Sequence, residues 1–453
     1  MLTGNPCGIG QPYRLKMKDA RDHAFQILKK YYRSNNRLKS VRDQYFKHNK
    51  LQQRDISRSL VLTNEVVRWQ GRLDYWINGF LDKPIHKLHP SVHLILRLGY
   101  YEAVLDDLIP QHAAVNSWVE FTKNELGKKF SGLVNALMRK TIGVDPNQKN
   151  NNESLSEWAS FPEWIIHKWT NQFGENNTNK LCEYFNTLSP IDIRLNCNGM
   201  SKESIISQLA ELDVEISQSP QSDCFFRVKS GFRNIIKSDL FSKGHIHVQD
   251  RASGSVVELL DPKPGHIILD VCAAPGTKSG YIVEKINNEG KIFSSDISQS
   301  RMLIGEKRSH ELKWPIQWKK KDASEDNYPM ADRILIDAPC TGTGVIGRRT
   351  DIRWRRREED VESMVTIQKA IITHMAQFLK PGGIMVYATC SLEKEENWNV
   401  VKWFLKLNNN FCIDSGKDFV PNTWLNTQNC LETFPPRDKV DGMFAARIKN
   451  NDE

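Results

Sequence analysis

The fold is decided by a short apolar strand that runs into a turn of small residues, Ile267-Ile268-Leu269-Asp270-Val271-Cys272-Ala273-Ala274-Pro275-Gly276-Thr277-Lys278. In an open α/β sheet, such a strand followed by a helix leaves backbone N–H groups at the strand's carboxyl end, where nucleotide-like ligands bind. The turn lacks the G-x-G-x-x-G pattern of dinucleotide folds, and Pro275 has no N–H group to donate. We therefore expect the turn to hold S-adenosylmethionine rather than a dinucleotide.

Acidic residues follow the next strands at regular spacing. Asp296 lies 26 residues after Asp270, and Asp322 lies a further 26 residues along. An acid at the end of the second strand is well placed to bond ribose hydroxyls, and the third acid is suited to flank an adenine edge. Short apolar strands alternate with helical segments from residue 262 onward, which predicts a doubly wound parallel sheet.

Two cysteines also follow strand-like runs, so we expect them at the same edge of that sheet. Cys340 ends the motif Asp337-Ala338-Pro339-Cys340, and Cys390 follows Ala388-Thr389. An ordinary thiol is only a few per cent thiolate at neutral pH, so a nearby cation or helix N-terminus is needed to activate it. Glu395-Glu396-Asn397 predicts a helix start directly after Cys390. The arrangement indicates covalent chemistry beside a nucleoside cofactor.

Two thiols beside a methyl donor suit methylation of carbon 5 of cytosine, a carbon that is not itself nucleophilic. Addition of a thiolate at carbon 6 makes carbon 5 an enamine carbon that accepts the methyl group. A base must then remove the carbon 5 proton so that the thiol leaves. Asp337, three residues before Cys340, is positioned to act as the acid near ring nitrogen 3.

The 453 residues predict more than one domain. Residues 17–142 show helical periodicity and scarce strand patterns, which predicts an all-α bundle. Residues 143–156 are polar and Asn-rich, as in a linker. Residues 157–240 predict a small α+β subdomain, and residues 241–450 predict the α/β catalytic domain.

The net charge of +9 fits an anionic partner. Residues 14–50 contain twelve Lys or Arg against three Asp, and residues 348–357 contain six Arg. The second run offers phosphate contacts, with Trp354 as a stacking plane for a base. Solvated helix faces explain the same charge runs equally well.

Cysteine usage and hydropathy indicate the compartment. The nine cysteines form no CxxC pair, so no zinc site is expected, and no apolar run reaches the roughly 18–20 residues of a membrane span. The N-terminus lacks an apolar signal region. We expect a cytoplasmic protein without a metal, and a monomer, because no exposed apolar heptad is evident.

Several motifs together resemble the RNA 5-methylcytosine methyltransferases, and within them the RsmB/Sun (Fmu) type that acts on 16S ribosomal RNA. The catalytic-domain motifs are Val248–Ser253, Cys272–Lys278, Asp337–Cys340, Thr389-Cys390-Ser391 with Glu396-Asn397, and Asp441–Ala446. The segments that resemble a NusB-type RNA-binding domain are Arg54-Asp55, Leu96–Glu102, Ile109-Pro110, Ala113–Asn116 and Val134–Arg139. The resemblance covers residues 17–449. It implies a NusB-like helical domain, a small RRM-like α+β subdomain and a Rossmann-like class I methyltransferase domain.

The resemblance also implies roles for single residues. Cys390 would be the nucleophile, and Cys340 would assist release of the methylated base. The residues that would hold S-adenosylmethionine or the target base are Cys272, Ala273, Ala274, Pro275, Gly276, Thr277, Lys278, Asp296, Asp322 and Asp337. Thr277 stands where the family usually has a second glycine, and Ser279 where it often has threonine.

Two other functions fit parts of the sequence. A transfer RNA 5-methylcytosine methyltransferase would use the same chemistry, and only the NusB-like half argues against it. A non-catalytic RNA-binding protein of the antitermination type would use the NusB-like half alone, but the paired cysteines and the three acids argue against it.

Overall fold

The computed structural model describes residues 19–452, so residues 1–18 and Glu453 lie outside it. The start of the predicted helical domain at residue 17 and the first five residues of the basic stretch 14–50 fall in that undescribed part. The chain divides into two compact units, Met1–Ser160 and Phe161–Glu453.

Every regular element among the described residues of the first unit is a helix, as the periodicity predicts. Its helices are α1 (Ala20–Tyr31), α2 (Leu38–His48), α3 (Gln53–Arg68), α4 (Gln70–Asn78), α5 (Pro90–Tyr100), α6 (Gln111–Leu126), α7 (Lys128–Arg139) and the short α8 (Leu155–Ala159). Helix α1 starts where Asp19 caps it, because the carboxylate accepts hydrogen bonds from the Arg21 and Asp22 amides. Its buried face includes Ala24, Ile27 and Leu28.

The predicted linker 143–156 is a loop from residue 144 to residue 154, but it is packed onto α4. The Arg72 guanidinium donates to the Pro146 carbonyl at 2.7 Å and lies 3.6 Å from the centroid of the Trp158 ring. Glu153 is buried within the same segment. The segment is polar, as predicted for a linker, but it is not a flexible connection, because Arg72 holds it against the helical unit.

The second unit begins with two helices and a small antiparallel sheet. The elements are α9 (Glu163–Phe173), α10 (Glu175–Asn186), β1 (Ile191–Leu195), α11 (Lys202–Glu211), β2 (Glu215–Gln218), β3 (Phe225–Ser230), α12 (Phe232–Lys237), α13 (Asp239–Ser242) and β4 (Ile246–Val248). The strand order is β2-β3-β1-β4, which is that of a ferredoxin-like sheet. One face packs on the helices through Ile193 and Phe226, as alternation along a strand requires.

The rest of the unit is a large α/β sheet with helices on both faces. Its elements are α14 (Arg251–Leu260), β5 (Ile267–Val271), α15 (Thr277–Lys285), β6 (Lys291–Asp296), α16 (Gln299–Glu311), β7 (Ile316–Lys320), β8 (Ala331–Asp337), α17 (Ile352–Arg355), α18 (Glu359–Ala376), β9 (Leu379–Thr389), α19 (Trp398–Leu407), β10 (Phe411–Ile413), β11 (Leu431–Glu432), α20 (Pro435–Asp438) and β12 (Phe444–Asn450). The strand order is β10-β12-β9-β8-β5-β6-β7, with β11 paired to β12.

The sheet is mixed, so the expectation of an all-parallel sheet is wrong at one edge. Strands β5 to β9 pair in parallel, whereas β12 lies antiparallel between β9 and β10. The first strand, β5, has β6 on one side and β8 on the other. The chain reverses its winding direction at this point, and open α/β sheets bind ligands outside the carboxyl ends of the strands at such a point.

Across residues 19–452, no helix is both long enough and apolar enough to cross a membrane.

Candidate active site

The turn after β5 is tightly built. The chain leaves β5 through Cys272, which has a φ of 61°, and reaches α15 through Gly276, which has a φ of 98°. A Cβ atom on Gly276 would lie 2.9 Å from Trp318 Cζ2. Glycine is therefore required at position 276 by both its backbone conformation and its packing.

The two departures from the family's turn are accommodated by this geometry. Thr277 is the first residue of α15, where an ordinary helical conformation suffices and glycine is not needed. Ser279 keeps the hydroxyl function, because its Oγ donates to Asp270 Oδ2 at 2.6 Å. Burial raises the pKa of Asp270 to about 7.

The acids after β6 and β7 are held by their own loops. Asp296 is buried, and its carboxylate accepts from the Ala274 amide at 3.2 Å and the Ser298 amide at 2.9 Å. Asp322 lies two residues beyond the end of β7, and its Oδ1 accepts from the Ser324 amide and hydroxyl at 2.9 and 2.6 Å. The structure thus ties Asp296 directly to the small-residue turn.

The two cysteines meet at the carboxyl ends of β8 and β9. Cys340 Sγ and Cys390 Sγ are 3.4 Å apart, and both side chains are half-buried. The strands are parallel neighbours, with Asp337 opposite Ala388. Parallel pairing therefore places the residues that follow the two strands side by side, as the sequence predicted.

The two thiols have opposite protonation tendencies. The hydrogen bond from Cys340 lowers the pKa of Cys390 against the effect of burial, and the positive charges of Arg349 and Lys278 lower it further. The pKa of Cys340 is raised well above its usual value by the bond to Cys390, by burial and by the negative charge of Glu396. Cys390 is therefore the thiol of the pair that loses its proton more readily, and Cys340 is the one that keeps it.

A half-buried ion pair lies beside the thiols. Lys278 Nζ is 2.8 Å from Asp337 Oδ2. Burial lowers the pKa of Lys278, but Asp337 and the thiolate of Cys390 outweigh it, so the net shift is upward. Lys278 thus belongs with the cysteines as well as with the cofactor turn, a contact that its position in the turn did not indicate.

The Arg run 348–357 is largely committed to the protein. Arg348 pairs with Asp441 at 2.8 Å and Asp250 at 3.0 Å, and Arg353 is fully buried. Arg356 donates to the Cys340 carbonyl at 2.9 Å. These three arginines cannot serve as free phosphate contacts, whereas the side chains of Arg349 and Arg357 are exposed.

The segment after Cys390 also differs from expectation. Helix α19 begins at Trp398 with Asn397 as its N-cap, so Glu395 and Glu396 precede the helix. Its N-terminus is eight positions from Cys390, and the groups that lower the pKa of Cys390 are instead Cys340, Arg349 and Lys278. Glu396 is fully buried, and its carboxylate bonds to the loops that carry both cysteines.

A glycine contact closes the base of the site. The Gly344 amide donates to the Cys390 carbonyl at 3.0 Å, and the Gly442 amide donates to the Gly344 carbonyl at 2.9 Å. A Cβ atom on Gly344 would lie 2.1 Å from the Gly442 carbonyl oxygen. Three loops therefore meet backbone to backbone behind the thiols.

Within residues 19–452, no group of three or more His, Cys, Asp or Glu side chains is arranged to hold a metal ion.

Comparison with known proteins places this geometry in a family. Residues 257–449 match the family described as 16S rRNA methyltransferase RsmB/F, residues 18–142 match the NusB family, and residues 161–233 match the ferredoxin-like domain of RsmF/B-like methyltransferases. A probable ribosomal RNA small subunit methyltransferase B of Bacillus subtilis is 30% identical over 411 residues, which cover 86% of this chain and 89% of that protein. The chain belongs to the RsmB/F methyltransferase family.

Other relatives of this RsmB/F protein match along nearly the whole chain. A probable ribosomal RNA small subunit methyltransferase B of Synechocystis sp. is 29% identical, with 96% of this chain and 100% of that protein covered. The crystal structure of PH0851 superposes with a TM-score of 0.79 at 26% identity and covers 95% of this chain and 98% of that one. The family and the fold class predicted from the motifs are confirmed.

A structure of NSun6 from Pyrococcus horikoshii with SFG shares its fold with part of this chain. Its TM-score is 0.58 at 20% identity, with 65% of this chain and 100% of that chain covered.

Proposed function

We propose that this RsmB/F enzyme transfers a methyl group from S-adenosylmethionine to carbon 5 of a specific cytosine in 16S ribosomal RNA, through a covalent adduct with Cys390. The observation that carries the proposal is the 3.4 Å approach of the Cys340 and Cys390 sulfur atoms at the carboxyl edge of the sheet. One thiol of that pair is polarised toward thiolate while the other keeps its proton. Covalent addition needs a thiolate as nucleophile, and later release needs a protonated group that can donate a hydrogen bond to the departing sulfur.

Cys390 forms the bond to carbon 6 of the cytosine, and Asp337 lies on the ring nitrogen 3 side. The Lys278–Asp337 ion pair holds a proton beside the ring, since Lys278 is 2.8 Å from the carboxylate and its positive charge acts on Cys390. After methylation, a solvent base takes the carbon 5 proton, the electron pair of that C–H bond re-forms the double bond between carbons 5 and 6, and the Cys390 sulfur leaves carbon 6 as thiolate. Cys340 supports that release by hydrogen-bonding the departing thiolate.

The chemistry of the donor set fits S-adenosylmethionine. The residues that would hold it are the turn Cys272, Ala273, Ala274, Pro275, Gly276, Thr277 and Lys278, together with Asp296, Asp322 and Asp337. The turn places small side chains at the mouth, and the carboxylates after β6 and β7 suit hydroxyl and amino groups of a nucleoside. The cofactor supplies an electrophilic methyl group when bound.

The division of labour follows the predicted domains. We assign RNA binding to the NusB-like residues 17–142, positioning to the small subdomain 157–240, and catalysis to residues 241–450. The target cytosine must be unstacked or lie in a loop to reach the thiols. We further propose that the protein acts as a monomer in the cytoplasm, which light scattering of the purified chain and fractionation of cells would test.

The deciding experiment is bisulfite sequencing of total RNA from cells with the protein, without it, and with a Cys390→Ala version. We expect one cytosine of 16S RNA to be protected only with the native protein. Cys390→Ala should lower methyl transfer by at least ~1,000-fold, because the nucleophile and the step it opens are both lost. Full activity of the Cys390→Ala protein would remove the covalent mechanism.

Two results would favour the other functions. Protection of a cytosine in transfer RNA, with 16S RNA unchanged, would make the chain a transfer RNA methyltransferase. If titration calorimetry shows that S-adenosylmethionine does not bind, the helical unit is the active part and the second unit only a scaffold.

A further inference from the structure

We propose that Glu396 is a positioning residue that holds the two reactive cysteines at their working separation. The inference rests on the proposed function for the importance of the cysteine pair. It assigns to a buried carboxylate a task that neither cysteine performs.

The Glu396 carboxylate joins the residue after one cysteine to the residue after the other. Its Oε1 accepts from the Thr341 amide at 2.8 Å, and its Oε2 accepts from the Ser391 hydroxyl at 2.5 Å. The Thr341 hydroxyl also donates to Oε2. One rigid carboxylate therefore sets the distance between the loop of Cys340 and the loop of Cys390.

A third contact extends this carboxylate clamp to the start of the Cys340 loop. Gln368 Nε2 donates to Glu396 Oε1 at 3.0 Å and to the Pro339 carbonyl at 2.9 Å. The Glu396 carbonyl accepts from the Tyr387 hydroxyl at 2.7 Å, which fixes the backbone of the clamp against β9. Glu396 has no exposed surface, so water does not compete for these bonds.

The charge of the clamp also separates the roles of the two thiols. Glu396 contributes to the raised pKa of Cys340, after the bond to Cys390 and burial. It thus favours the protonated form of the thiol that donates to Cys390. Position and charge have opposite effects on the Cys390 midpoint in the native protein, because the bridge lowers it through the bond from Cys340 whereas a nearby negative charge raises it, so replacing Glu396 distinguishes the two.

The test measures the pH dependence of Cys390 alkylation by iodoacetamide, with the modified peptide quantified by mass spectrometry and no RNA present. The variants are Glu396→Gln, Glu396→Ala and Cys340→Ala, and the double variant Cys340→Ala/Glu396→Ala. The matched control is Glu393→Gln, a buried carboxylate three residues away that accepts instead from the Trp169 indole at 3.2 Å. Thermal unfolding and calorimetric affinity for S-adenosylmethionine report whether each variant is folded.

If Glu396 positions the pair, its removal weakens the bond from Cys340 and the Cys390 alkylation midpoint moves to higher pH. The alkylation rate at pH 7 then falls by up to about tenfold in Glu396→Ala, since a charge-assisted hydrogen bond is lost. Glu396→Gln, which can keep part of the bridge, should fall less. The control should stay within twofold, and Glu396→Ala should add nothing in the Cys340→Ala background.

If only the charge matters, both Glu396 variants lose one negative charge and the midpoint moves equally to lower pH in each. That result, or no shift in a folded Glu396→Ala protein, overturns the proposal. The readout needs neither RNA nor methyl transfer, so it stands even if the substrate assigned above is wrong. Conversely, if the alkylation midpoints shift as expected but 16S RNA is not methylated, only the proposed function is rejected.

Discussion

At the scale of single residues, two identical side chains are made chemically different by their neighbours. Cys390 lies among a thiol donor and two cations, whereas Cys340 lies among the Cys390 sulfur, apolar surroundings and the carboxylate of Glu396. The hydrogen bond between the sulfurs lowers the pKa of Cys390, which accepts it, and raises the pKa of Cys340, which donates it. The pair therefore works as a unit, and replacing either cysteine changes the other.

Replacing Cys340 with alanine should trap the enzyme on its RNA. Addition by Cys390 still occurs, but the departing thiolate loses its hydrogen-bond donor, so release is slowed more than addition. We expect a slower-migrating protein–RNA band on a denaturing gel when enzyme, 16S RNA and S-adenosylmethionine are mixed. The Cys340→Ala/Cys390→Ala double variant is the control and should form no such band. Normal turnover by Cys340→Ala without an adduct would contradict the role of Cys340.

The exposed Arg349 should tune the pH profile of Cys390. Its charge helps to lower the pKa of that thiol, so Arg349→Met should raise the pKa and move the acid limb of activity to higher pH. The shift should be a few tenths of a pH unit, because solvent and salt partly screen an exposed charge. Iodoacetamide alkylation of Cys390 measures it directly, and Arg357→Met, an exposed arginine of the same run, should leave the midpoint unchanged.

The residues predicted best from the sequence were those whose role depends on local chain geometry. A turn of small residues after a strand, and cysteines at strand ends, follow from patterns within a few residues of each other. The contact of Lys278 with Asp337 and the bridge made by Glu396 join residues about 60 positions apart. No local pattern encodes such pairings, although the Glu396-Asn397 pair belongs to the cysteine motif that carries the family resemblance.

At the scale of elements, the small antiparallel sheet turns one face toward the catalytic domain. Arg194 on β1 is fully buried, bonds to Glu284 of α15 at 2.7 and 2.9 Å, and lies 4.1 Å from the centroid of the Tyr281 ring. Phe225 on β3 packs in the same core as Tyr281. In RRM proteins an open sheet face stacks RNA bases, but here this face is occupied by α14 and α15.

Breaking the Arg194–Glu284 pair should destabilise the second unit. Arg194→Met leaves the buried Glu284 carboxylate with a weaker set of partners, and losing one member of a buried pair costs about 3–5 kcal/mol. Urea unfolding followed by tryptophan fluorescence measures the free energy of unfolding. The double variant Arg194→Met/Glu284→Gln should lose less than Arg194→Met, since no unpaired charge remains. An equal or larger loss in the double variant would show that packing, not charge, dominates the contact.

The sequence predicts the order of helices and strands wherever each strand is a distinct apolar run between helical segments. The parallel strands β5 to β9 are visible as apolar runs that alternate with helical segments, and the helical unit is visible in the helical spacing of its apolar residues. The antiparallel insertion of β12 was not predicted, because pairing direction depends on the path of the chain rather than on composition. The small strands β2, β3 and β4 were also missed, since they are short and half-buried.

At the scale of the whole molecule, positive charge is concentrated in the helical unit. Arg33 lies just after α1, and Lys47 and Lys50 lie at the end of α2, all three with exposed side chains. By contrast, Lys39 pairs with Asp43, and Arg21 pairs with the buried Glu102. The exposed subset is therefore the part of the basic stretch available to phosphates. The sequence predicted the charge excess, but only the structure separates free from paired charges.

Neutralising these three side chains should weaken RNA binding without touching catalysis at the thiols. Arg33→Gln/Lys47→Gln/Lys50→Gln should flatten the slope of log affinity against log salt by about 2–3, the value for three lost phosphate contacts. Filter binding of 16S RNA across salt concentrations measures the slope, and calorimetry should show unchanged S-adenosylmethionine affinity. A charge-retaining control, Arg33→Lys/Lys47→Arg/Lys50→Arg, should keep the native slope. An unchanged slope in the glutamine variant would place the RNA elsewhere.

The glycine contact behind the thiols limits where the chain can be altered. Gly344 and Gly442 contact each other through main-chain atoms. An added or deleted residue in either loop would therefore displace the backbone itself, because no side chain there can adjust instead. A fluorophore, affinity tag or circular-permutation cut in either loop would therefore shift Cys390 itself. The side chains of residues 287–289, in the turn between α15 and β6, are exposed and are the natural place for attaching a label to the enzyme.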